Sequence, residues 1–135
     1  MAGMADNPGP DERLAVTIAE LDAATGTLAG SDTLAFGGVG LAGTMLPATE
    51  AYQRLLTAVA ARPDEVRTRL DWLLGNGSPA GRAYAATLLD RLDPSAGRAA
   101  WAGLRGETGE LTTFTGCLME RTTLGQYADA RLVAP

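Results

Sequence analysis

The chain has no histidine and no lysine, and its only cysteine is Cys117. Without histidine, the usual zinc and copper sites, the Ser-His and Cys-His nucleophile pairs and an imidazole general base are excluded. A single cysteine excludes a disulfide within these residues and any thiolate metal cluster built from them. The residues therefore imply no metal and no cofactor. The 11 basic residues are all arginine and face 16 acids, a net charge of −5. No arginine cluster supplies the concentrated basic face that phosphate neutralisation needs, so nucleic acid is not an expected partner. No apolar run approaches the roughly 20 residues of a membrane span, and the first residues lack the charged-then-apolar order of a signal peptide. The expectation is a cytoplasmic protein without a membrane partner.

What is present points to helices. With 135 residues, 46% of them apolar, the chain suits one core. Residues 1–10 are small, polar and proline-bearing and read as a disordered N-terminus, leaving 11–135 as a single helical domain. The organising stretch is Ser78 to Gly106. Ser78-Pro79 and Asp93-Pro94 each place a capping side chain before a proline, the order in which a chain enters a helix. Each is followed by Ala-Gly-Arg-Ala, at 80–83 and 96–99. Glycine there sacrifices helix propensity, so its repetition predicts close backbone approach in an αα-hairpin.

Upstream, Leu14, Ile18, Leu21, Thr25 and Leu28 form one helical stripe from Asp11 onward. Ser31-Asp32 ends it, and a glycine-rich connector runs from Thr33 to Pro47. Gly38, Gly40 and Gly43 formally spell GxGxxG, but a dinucleotide turn needs a helix directly after it and a second parallel strand. Pro47 and the helical pattern of 63–74 deny both. The glycines read instead as a flexible or closely packed loop, or as a mobile lid over a pocket. Helices follow at Thr49–Ala61 and from Pro63 to a left-handed cap at Gly75-Asn76-Gly77. Leu111–Thr115 is β-branched and aromatic, a short strand or extended loop, and Gly116–Arg121 carries no helical stripe. A last helix opens at Thr123, whose spacing to Gln126 suits a capping box. The fold class is all-α: stacked antiparallel helix pairs, a HEAT-like bundle, with a short extended segment before the last helix.

Across residues 50–132 the chain resembles a small group of HEAT-like α-helical bacterial proteins. The residues that carry this are Ser78–Tyr84, Leu88-Leu89 with Asp93-Pro94, Gly116-Cys117 and Thr122–Gly125. The resemblance implies helical pairs packed in sequence and no inherited activity.

Several side chains are candidates for chemistry. Arg82 and Arg98 lie near helix N-termini, where a cation is mildly disfavoured, so each calls for a carboxylate such as Asp90 or Asp93 unless it meets a ligand. Cys117 reads as a buried apolar side chain. Glu120 is an acid/base candidate if buried, or half of a solvated ion pair with Arg121. Asp90 is a second carboxylate, and Phe36 and Tyr84 are candidate pocket lining. Two functions fit. One is a helical binding or scaffold protein holding a peptide or small apolar molecule, able to form a homodimer. The other is a cofactor-free tailoring enzyme of bacterial natural-product biosynthesis, with Glu120 or Asp90 as acid/base and Arg82 or Arg121 as electrostatic support.

Overall fold

The computed structural model describes residues 17–40 and 42–133. The expected disorder of residues 1–10 and the start of the first stripe, including Leu14, lie outside them. Among the described residues there are six helices, α1 (Ile18–Ala29), α2 (Pro47–Ala58), α3 (Pro63–Asn76), α4 (Pro79–Leu92), α5 (Pro94–Leu104) and α6 (Leu124–Val133). Three strands join them, β1 (Thr33–Leu34), β2 (Glu110–Thr115) and β3 (Leu118–Thr123). The chain is thus mostly helical, and where the sequence predicts one extended segment it builds a small sheet. None of these helices is long and apolar enough to cross a membrane.

Helix starts follow capping chemistry. Thr17 opens α1 with a full capping box, its hydroxyl accepting from the Glu20 N–H while the Glu20 carboxylate accepts from the Thr17 N–H. Those contacts, the backbone one foremost, hold the Glu20 carboxyl below its ordinary pKa. Prolines occupy the first turns of α2, α3, α4 and α5. Pro47 therefore starts α2 rather than interrupting a helix. Ser78 accepts from Gly81 N–H, and Asp93 accepts from the N–H groups of Ser95 and Ala96. The helix α3 ends without the expected left-handed cap. Gly77 is extended at φ −80°, and it is small because a Cβ there would come within 2.8 Å of the Leu73 carbonyl.

The centre is α4. It packs against α3 and α5 most extensively and also touches α1, α2, α6, β1 and β2. Hence it is buried on most sides, through Ala80, Ala83, Tyr84, Ala85, Ala86, Leu88 and Leu89. The two repeated glycines serve different contacts. A Cβ on Gly97 would lie 2.6 Å from the backbone N of Asp90, the α4–α5 approach that the repeat predicts, whereas a Cβ on Gly81 would overlap the Leu28 carbonyl of α1. Ser78 reinforces that second junction, its hydroxyl donating to the Ser31 carbonyl and its N–H to the Ala29 carbonyl.

The glycine-rich connector is neither a phosphate loop nor the start of a helix. Val39 and Thr44 exchange backbone hydrogen bonds of 2.7 and 2.9 Å in a miniature hairpin. Gly40 and Gly43 adopt positive φ there, and a Cβ on Gly38 would strike the Gly43 backbone. The tip is fastened to the sheet by Gly40 N–H donating to the Gly116 carbonyl.

Candidate functional site

The β2–β3 hairpin builds one wall of the principal concavity. LTTFT and LMERTT are both rich in β-branched or apolar residues, and two residues, Gly116-Cys117, separate the strands. Gly116 has φ +62° and Cys117 does not share it, the pattern of a type II′ turn. Antiparallel pairing sets Thr112 opposite Arg121 and Thr113 opposite Glu120. Because directly paired side chains share a face, Leu111, Thr113, Glu120 and Thr122 lie on the side where Leu111 joins the core. Glu110, Thr112, Phe114 and Arg121 lie on the other.

Strand β1 extends the wall, pairing parallel to β2 with Leu34 opposite Thr113. The opposite wall is α6. Thr123 and Gln126 form the expected capping box, so the helix begins directly where β3 ends and presents Tyr127 and Ala130 toward the sheet. Between the walls lies a concavity of about 430 Å³ reached by Leu34, Phe36, Thr113, Glu120, Thr122 and Tyr127.

Of the residues singled out in the sequence, Phe36 and Glu120 meet here. Arg121 reaches the rim, but its guanidinium donates to Glu110 at 3.1 Å and to the Thr112 hydroxyl at 3.0 Å. The anticipated Glu120–Arg121 ion pair is absent because the pleat sends consecutive side chains to opposite faces. Tyr84 does not line the concavity. It is fully buried behind Phe36, with ring centroids 5.4 Å apart, and Tyr52 completes the aromatic group at 4.9 Å from Phe36. Asp90 lines a separate hollow of about 350 Å³ that Phe36 also borders, and its carboxylate lies 3.7 Å from Arg131.

Arg82 stands apart from both. It donates to the Leu74 carbonyl at 2.7 Å and to Glu107 at 2.9 Å, so its carboxylate partner is neither Asp90 nor Asp93. Asp93 is instead near Arg67, and Arg98 is exposed. Cys117, expected to be buried, is exposed, because it occupies the second position of the hairpin turn.

Burial pushes the phenols of Tyr84 and Tyr127 above their ordinary pKa, partly opposed by the Ala35 backbone contact for Tyr84 and by Arg131 for Tyr127. Tyr127 also tilts against Trp101, centroids 5.5 Å apart, while the Arg131 guanidinium lies over the same indole at 5.6 Å. Sequence patterning misses β3, and with it the facing of Thr113, Glu120 and Thr122. The available signal is two β-prone runs separated by two residues led by glycine. No family model, curated protein or solved structure matches the chain.

Proposed function

We propose that this is a binding protein, a HEAT-like stack of helix pairs carrying a small sheet, that holds a small molecule or a peptide side chain between the sheet and α6. The observation that carries this reading is the concavity of about 430 Å³, within the volume range of small-molecule sites, whose lining mixes polar and apolar groups in comparable measure. Phe36 supplies apolar surface over the buried Leu34, and Thr113, Thr122, Glu120 and Tyr127 supply hydroxyls and one carboxylate. The tailoring-enzyme reading has less support. Glu120 and Asp90 line different hollows, Arg82 is bound to Glu107, and Arg121, at the rim beside Glu120, is bound to Glu110, so neither arginine is free to support a reaction at these carboxylates.

The test is a ligand screen by amide chemical shifts on the full chain, using a library of small amphiphilic fragments. Binding here shifts Thr113, Thr122 and Tyr127 together, and Phe36→Ala weakens the binders. If no fragment moves these amides, or binders ignore Phe36→Ala, the reading fails.

A further inference from the structure

The geometry points to an organic monocation as the occupant of this concavity: an ammonium or guanidinium group on a hydrocarbon stem. This deepens the binding proposal above and rests on it. Glu120 carries the inference. Its carboxylate makes no hydrogen bond or ion pair with the described residues, whereas eight of the 13 described carboxylates pair with an arginine.

The isolation has a structural cause. The nearest arginine in sequence, Arg121, is turned to the outer face of the hairpin and neutralised by Glu110. The other nearby guanidinium, that of Arg131, sits between Asp90 and the Trp101 ring and lines the neighbouring hollow. The concavity therefore presents one uncompensated negative charge. Around it are the rings of Phe36 and Tyr127, whose faces attract cations, and the hydroxyls of Thr113 and Thr122, which can accept hydrogen bonds from an ammonium. Phe36, with 37% of its surface exposed, offers apolar surface for a hydrocarbon stem. An anion would meet Glu120 while the one guanidinium at the rim, that of Arg121, is already paired with Glu110, and a neutral ligand would leave the carboxylate unmatched.

Both a free aliphatic amine and a lysine side chain of a peptide present this chemistry. The experiment is a set of amide-shift titrations of the full chain with n-pentylammonium, 1-pentanol, pentanoate and doubly blocked lysine. Pentylammonium is expected to shift Thr113, Glu120, Thr122 and Tyr127 saturably and to bind at least about fivefold more tightly than pentanol, the scale of a partly exposed charge pair. Glu120→Gln is expected to abolish that preference while leaving thermal stability unchanged, since the side chain is exposed and makes no contact to lose. Tighter binding of blocked lysine assigns the peptide source, and tighter binding of pentylammonium the free amine. Equal binding of pentanol, or preferential binding of pentanoate, overturns the cation while leaving the binding proposal standing. Silence of all four probes, while fragments of other chemistry move the same amides, also overturns the cation alone; silence of probes and fragments alike overturns both.

Discussion

The Tyr84 hydroxyl satisfies both polar groups of the Ala35 backbone, accepting from its N–H and donating to its carbonyl at 2.8 Å each. Thr49 donates to the same carbonyl at 2.7 Å. The central helix thereby holds the residue next to Phe36, and so sets how Phe36 enters the concavity. Tyr84→Phe keeps the ring but strands a buried N–H, a loss expected to cost about 1–3 kcal/mol. Urea denaturation measures it. Unchanged stability would mean that water or a shifted backbone replaces the hydroxyl.

Two glycine substitutions should differ in sign. Gly97→Ala drives a methyl into the Asp90 backbone and is expected to destabilise by about 1–3 kcal/mol, as overpacking does. Gly26, in the interior of α1, has nothing within 4 Å of an added Cβ, so Gly26→Ala should stabilise by about 0.5–1 kcal/mol. Thermal melts of the two variants compare them directly. A stabilised Gly97→Ala would show that α4 and α5 lie farther apart than described.

Alkaline pH should weaken the fold. Burial raises the phenol pKa of Tyr84 and Tyr127 above 10.0, so the fold favours their neutral forms. That contribution is fully present below about pH 10, where unfolded tyrosine keeps its proton, and is lost as pH rises through the folded-state values. Tyr127 makes no hydrogen bond to the described residues, so Tyr127→Phe should leave stability at pH 8 nearly unchanged and flatten the decline above pH 10. Denaturation midpoints at pH 8 and pH 11 separate the two effects; parallel declines in variant and parent would refute Tyr127's share.

The exposed turn thiol gives a chemical check on the hairpin. Cys117 should react with one equivalent of a disulfide reagent in native buffer, at a rate close to that in denaturant. Protection by about a hundredfold would place it in the interior after all.

Helices were legible wherever a cap and a proline coincide, as at Ser78-Pro79 and Asp93-Pro94, because both act locally on the first turn. Trp101 and Leu104, three apart in α5, and Leu124 and Ala128, four apart in α6, are buried at helical spacing. The sheet was harder to read because β1 has only two residues and gains its identity from β2, far away in sequence. Glu120 and Arg121 show the cost. Adjacent in the chain, they read as an ion pair, yet pairing to β2 sends them to opposite faces, and only that separation leaves the concavity charged. The partner of Arg82 was likewise hidden, since Glu107 follows α5 and becomes its neighbour only through packing.

β3 is the outer strand of its sheet, and the same alternation governs what can be added there. A second copy pairing antiparallel across this edge must match like faces, which permits only registers centred on a residue. Centring on residue 120 sets Glu120 against its own duplicate, and centring on residue 121 does the same for Arg121. Those are the two registers with the longest overlap, and each opposes like charges. The dipeptide thus disfavours two-fold pairing of β3 with β3 of an identical chain, while a strand of different sequence meets no such self-repulsion.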